Sequence, residues 1–255
     1  TPRTPDDMRV FYQFTDDQNE ALDELLENQE LLAALAGDLS ISAPDAKALL
    51  AALPEDLSPE RRAVVETACS LVGKVNYFWG GKSTVIGEDP GWGTSEKVSA
   101  EGSKSTGTIR AYGLDCSGFV TWAVINGYQD KAMQEAVGDG TSDQWEKANV
   151  VTEADAQPGD LVFQKGPEAG SDNHVGILCG KTDAGDWIAV HCSSGKNGVT
   201  VGEAYSASFR YIRQPSFYPT QEQVQEMQSS STVSTTTGDA AASTGTDIFS
   251  ANVTV

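Results

Sequence analysis

The sequence predicts an α+β fold, and three observations carry that reading. Apolar residues recur at helical spacing between positions 15 and 72 and again after Cys116. Beyond Pro158 the apolar runs shorten and are parted by Gly- and Asp-rich turns, as antiparallel strands require. The two patterns are segregated along the chain and do not alternate, which separates α+β from α/β.

The first helix is expected over residues 15–36. Thr15 caps it, Asp16 and Asp17 suit its positive end, Leu22, Leu25, Leu26, Leu32 and Leu35 form a stripe, and Gly37 stops it. A shorter helix follows Pro44, with Leu49, Leu50 and Leu53 on one side and Pro54 as its end. A third opens at Ser58-Pro59-Glu60, hydroxyl cap first and proline second. It carries Val64, Val65, Ala68, Leu71 and Val72 up to Gly73. Stripes of this kind face a core or pack on one another more often than they bind a partner, and both readings stand at this point.

Residues 82–113 break the pattern. They are rich in Gly, Ser and Thr, hold Trp92 in a Pro-Gly-Trp-Gly turn, and show neither helical nor strand period. A segment this long inside a domain is a lid, a binding loop or a disordered insert. A helical run returns over residues 116–127, and strands are expected at 161–163, 174–178, 187–191 and 209–212. After Pro215 the chain turns Gln-, Ser- and Thr-rich, as a linker or disordered tail does. The expected division is therefore a helical N-terminal segment at 1–57, a domain at 58–214 and a tail at 215–255.

Composition narrows the partners. Seventeen basic residues against 37 acidic ones give a net charge of −20, which would be repelled by nucleic acid and by anionic lipid. No apolar run approaches the roughly 18 residues of a spanning helix, so no membrane span is expected. The chain begins Thr1-Pro2 without an initiator Met or a signal-like segment, which fits a leader or anchor removed upstream. The ending Gly80-Gly81-Lys82-Ser83 looks like a phosphate loop, but that fingerprint needs glycine at position 76, which is Asn76. Nucleotide binding is therefore not expected, and no cofactor is called for.

Four cysteines (Cys69, Cys116, Cys179, Cys192) are too scattered for a disulfide scaffold, and no C-x-x-C suggests structural zinc. Cys116 differs from the others because it opens a helix, where the N-terminal field favours a thiolate. Small neighbours, Ser117 and Gly118, leave backbone N–H groups free for an oxyanion. A nucleophilic thiol needs a base, and the base needs an orienting group. The chain has two histidines, His174 and His191, each at the end of a strand run. If both face a cleft from neighbouring strands, His174 is the base and His191 fixes its tautomer. Alternation then puts Cys179 and Cys192 on the opposite face, as buried free thiols more readily than as a bridge. It also splits histidines from cysteines and so argues against a metal site there. A histidine on a strand is often a satisfied structural residue, so spacing alone favours that reading and leaves catalysis as the open alternative.

The ordered motifs Tyr77-Phe78-Trp79-Gly80-Gly81, Leu114-Asp115-Cys116-Ser117-Gly118-Phe119-Val120, Pro158-Gly159-Asp160-Leu161-Val162-Phe163, His174-Val175-Gly176-Ile177 and His191-Cys192-Ser193 resemble the NlpC-type (NlpC/P60) cell-wall peptidases. The resemblance spans about residues 59–213 and implies a circularly permuted papain-like fold, with a catalytic helix packed on an antiparallel sheet. It implies Cys116 as nucleophile, His174 as general base and His191 as third polar residue. Tyr77 would line the cleft and help bind the oxyanion, with Trp79 beside it, while Asp115 and Ser117 would contact the substrate. That substrate would be a peptidoglycan stem peptide, cut at the γ-D-glutamyl bond to the diamino acid, outside the cell or at its wall. Residues 82–113 are longer than in compact members, which bears on substrate choice. Two other readings of the same scaffold remain, a non-hydrolytic wall-binding or assembly module and an acyltransferase.

Overall fold

The structure, a computed structural model, describes residues 4–11, 13–27, 48–219 and 223. The chain divides into two units, Thr1–Tyr218 and Pro219–Val255, and the fold below is that of the first. Two N-terminal helices, α1 (Pro5–Phe11) and α2 (Asp16–Glu27), each open on a reciprocal cap. Thr4 and Asp7 exchange bonds of 3.1 Å at the first, and Thr15 and Gln18 do so at the second. Residues 28–36 of the first expected helix lie outside the described residues, as does nearly all of the expected tail. The end of the second expected helix is described: residues 48–51 are helical, and Leu49 and Leu53 are buried in the core.

Helix α3 (Pro59–Ser70) begins as its sequence requires, with the Ser58 hydroxyl accepting from the Arg61 amide. It crosses α4 (Cys116–Tyr128) where Gly127 has no side chain. A Cβ there would lie 2.8 Å from the Val64 Cα, so glycine sets how closely the two helices approach. Helix α4 is buried from Cys116 to Asn126, which suits a segment apolar on every face. Two short helices follow, α5 (Met133–Val137) and α6 (Thr141–Glu146).

Between α3 and α4 the chain forms strands β1 (Ser95–Lys97) and β2 (Ile109–Ala111), an antiparallel pair. The 82–113 segment is thus a built element instead of a featureless insert. Trp92 packs edge-on against Trp122 of α4 at 5.3 Å, and Asn126 donates to Val85 O and accepts from the Gly87 amide.

Six strands form the main sheet: β3 (Ala148–Val150), β4 (Leu161–Phe163), β5 (Val175–Lys181), β6 (Trp187–Ser193), β7 (Gly198–Glu203) and β8 (Tyr211–Pro215). Their order is β3-β8-β4-β5-β6-β7, antiparallel throughout. Alternation sorts the two faces. Leu161, Phe163, Val175, Ile177, Val190 and Cys192 join α3 and α4 in the main core. Val162, Leu178, Ala189 and Phe209 form a smaller cluster on the other side. The sheet with its covering helices is the α+β arrangement expected from sequence. Packing continues past the expected boundary at 214, since Tyr218 is buried beneath the Arg61 guanidinium.

Candidate active site

Position 116 is fixed by a knot of glycines. The Asn76 carbonyl accepts from the Leu114 amide, and the Gly81 carbonyl accepts from the Asp115 amide at 3.0 Å. A Cβ on Gly81 would fall 2.2 Å from the Gly113 carbonyl oxygen, and one on Gly118 would fall 2.2 Å from that of Gly81. The Trp-Gly-Gly and Asp-Cys-Ser-Gly stretches therefore pack backbone on backbone, which only glycine allows. Asp115 caps α4, accepting from the Gly118 amide at 2.7 Å. Gln144, fully buried on α6, donates to the Ser117 carbonyl at 2.9 Å and ties the start of α4 from behind.

The two imidazoles meet as alternation predicts. His174 Nε2 and His191 Nδ1 are 2.7 Å apart. His191 points away from the face of Val190 and Cys192, and Gly176 makes room for it, because a Cβ there would sit 3.0 Å from the His191 Cβ. Phe209 packs against both rings, stacked on His174 at 5.5 Å and edge-on to His191 at 5.3 Å. Asn173 holds the chain entering β5: its side-chain oxygen accepts from the Lys165 and His174 amides, and its amide donates to Lys165 O and Gly166 O. Sequence reasoning missed both Phe209 and Asn173, although Asn173 directly before a histidine was a visible clue.

Cys116, His174 and His191 line one cleft of about 1240 Å³, together with Tyr77 and Trp79. The Trp79 indole donates to the Glu101 carbonyl at 2.8 Å, so the 82–113 segment forms a wall of this cleft. Lys104, Arg110 and Lys196 also line it, against Asp172 and Glu203, which makes the cleft locally basic in a chain of net charge −20.

Cys116 was expected to be thiolate-favouring, yet burial and the Asp115 carboxylate push its thiol up to about 11. The Val175 and Ser117 amides and Lys82 pull the other way and are outweighed. Asp115 and Ser117 were expected to contact substrate. The structure buries both at the start of α4 and bonds them to Lys82 Nζ, at 3.1 and 2.6 Å. Burial also pushes His174 down to about 4, against a smaller opposing effect of Asp115. His191 goes down to about 3 through burial and the neighbouring His174. Tyr77 is held above the ordinary phenol range by burial and then by Cys116 and Asp115, so its hydroxyl keeps its proton. These shifts favour the neutral forms of both rings and of the thiol near pH 7.

All four cysteines are free and buried. Cys179 and Cys192 share the main-core face, as parity predicts, but Cys179 lies at a bulge between Leu178 and Gly180, well along the ladder from Cys192. Its thiol neighbour is Cys69 of α3, while Cys192 donates to the Leu114 carbonyl at 3.1 Å. No group of His, Cys, Asp and Glu among the described residues has the geometry of a metal site, and no described helix is long and apolar enough to cross a membrane.

The profile of the NlpC/P60 family matches residues 73–212. Among solved structures the chain is similar to the peptidoglycan hydrolase RipB from Mycobacterium tuberculosis, at 22% identity over 84% of this chain and 90% of that one, with a TM-score of 0.42. The P60 domain of an antigen from M. avium subspecies paratuberculosis is 20% identical over 63% and 96%, with a TM-score of 0.43. RipD from Mycobacterium tuberculosis, described as a non-catalytic NlpC/p60 domain protein adapted to peptidoglycan binding, is 20% identical over 62% and 98%, with a TM-score of 0.41. No match was found among curated proteins.

Proposed function

The chain belongs to the NlpC/P60 family, and from that premise we propose that it is a peptidoglycan hydrolase, a cysteine endopeptidase acting on stem peptides outside the cell or at its wall. The observation that carries the reading is the 2.7 Å contact between His174 Nε2 and His191 Nδ1 in the cleft that also holds Cys116. That contact leaves His174 Nδ1 without a hydrogen bond among the described residues, the nitrogen a base would use. A wall-binding module needs no such pairing beside a thiol.

In this mechanism Cys116 Sγ attacks the amide carbonyl and its proton passes to His174 Nδ1. With the thiol near 11 and His174 near 4, a resting thiolate–imidazolium pair is disfavoured, so the proton moves during attack. The Cys116 amide and the Tyr77 hydroxyl donate to the oxyanion. His174 gives the proton to the leaving amine, the acyl-enzyme remains on Sγ, and a water activated by His174 hydrolyses it. The expected bond is the γ-D-glutamyl link to the diamino acid. The cleft cations Lys104, Arg110 and Lys196 suit the free carboxylates that such peptides carry.

Mass analysis of products from defined muropeptides tests hydrolysis and bond position together. Wild type should release the two expected fragments, and Cys116→Ala or His174→Ala should lower the rate by at least about a thousandfold. Full activity in Cys116→Ala would sink the mechanism. Tight muropeptide binding without any product would favour the binding module, and transfer to an added amine in place of water would favour the acyltransferase.

A further inference from the structure

Lys82, the residue that made Gly80-Gly81-Lys82-Ser83 look like a phosphate loop, has no part in the mechanism above. Its Nζ lies 3.1 Å from Asp115 Oδ1, 2.6 Å from Ser117 Oγ and 3.3 Å from Asp139 Oδ1. The Ser117 hydroxyl in turn donates to Asp115 Oδ1 at 3.0 Å. One ammonium thus holds the residues on both sides of the nucleophile. Resting on the peptidase reading, we propose that Lys82 is a positioning residue for Cys116: it locks Asp115 and Ser117 around the start of α4 and offsets the Asp115 carboxylate beside the thiol.

The need for that charge follows from what surrounds the sulfur. Asp115 raises Cys116, Tyr77 and Cys192 together and favours a charged His174, whereas Lys82 lowers Cys116. Tyr77 before the 82–113 segment, His174 ahead of β5, and His191 and Cys192 on β6 are all shifted toward their neutral forms and supply no counter-charge. Asp139, between α5 and α6, reaches Lys82 from the solvent side with its side chain 55% exposed, and serves as an outer anchor. Without Lys82 the cap that starts α4 would place an unbalanced anion next to the group that must lose its proton. Lys82 itself does not line the cleft, so it acts through Asp115 and Ser117 and does not touch substrate.

Iodoacetamide alkylation of Cys116 followed against pH, read by mass spectrometry of its peptide, tests this without requiring turnover. Lys82→Met should move the alkylation midpoint upward by about one pH unit and lower kcat/KM about tenfold, mostly through kcat. Lys82→Arg should restore most of both. Lys82→Met combined with Asp115→Asn should bring the midpoint back, because charge and counter-charge are then both gone. Asp115→Asn alone, in which asparagine keeps the cap, should move it downward. That variant decides the matter if Lys82→Met does not fold. An unmoved midpoint in Lys82→Met or Asp115→Asn, or a double variant displaced further than the single, overturns the proposal. Should the chain prove not to hydrolyse peptidoglycan, the midpoints still report on Lys82, so the two failures are told apart.

Discussion

The 2.7 Å contact between His174 Nε2 and His191 Nδ1 has room for one proton. The proposed mechanism, in which His174 accepts at Nδ1, requires that proton to belong to His174 and His191 to carry its own on Nε2. Because His174 stays neutral down to about pH 4, kcat/KM should hold through mildly acidic pH and fall only near pH 4. An acid limb at 6.5 in a pH–rate profile would contradict this. Stability follows the same groups. Between the ordinary histidine value of 6.5 and the folded value of about 4, the unfolded chain binds protons that the folded chain does not. Stability therefore falls as pH drops through that window. Urea titrations at pH 7.5 and 4.5 should differ by a few kcal/mol, roughly, and His174→Gln should shrink the gap. The nearness of the two histidines was legible in the sequence because they end adjacent strand runs, although their role was not fixed by spacing. Lys82 was not, because it meets Asp115 across 33 positions of a segment without periodicity.

At the scale of elements, the start of α4 is set by backbone contact, and its tolerance is correspondingly small. Gly118→Ala, which aims a methyl at the Gly81 carbonyl 2.2 Å away, should cost about 2–4 kcal/mol and reduce activity further by shifting Cys116. Gly202→Ala in β7, where nothing lies within 4 Å of the added carbon, should change stability by less than about 0.5 kcal/mol. Chemical denaturation separates the two, and equal losses would refute the packing argument. Helix α3 was readable from its apolar stripe, and α4, β4, β5 and β6 from short continuous apolar runs bounded by turn residues, since burial covers them on every face. Strands β1 and β2 were not, since all three residues of β1 and the first two of β2 are exposed and carry no alternation. Strand β7 hid because its buried valines, Val199 and Val201, lie among glycines and threonine.

Across the whole molecule, one buried ion pair joins distant parts of the chain. Arg61, on the first turn of α3, bonds Asp160 at 2.8 Å and the Pro158 carbonyl at 3.1 Å, and lies 4.2 Å over the Tyr218 ring. Asp160 also accepts from the Gln157 amide, and burial still holds it above the usual carboxylate range. Arg61→Met leaves that carboxylate buried and unpaired, so a loss of about 3–5 kcal/mol is expected, with Asp160→Asn in the same chain recovering most of it. Thermal melts of the single and double variants check this, and a double variant as unstable as the single would count against it. The sequence showed Pro158-Gly159-Asp160 as a motif but not its partner, which sits 99 residues away. The 82–113 segment, by contrast, leaves and rejoins the framework at one place, where Gly81 and Asp115 are bonded at 3.0 Å. Its closure entropy is met by that junction, and doubling its length would add only about 0.6 kcal/mol. The outer part of that wall, built on β1 and β2, is therefore a cassette: it can be exchanged while Lys82 and the contacts of Val85, Gly87 and Trp92 with α4 are kept, and Cys116, His174 and His191 then stay in register.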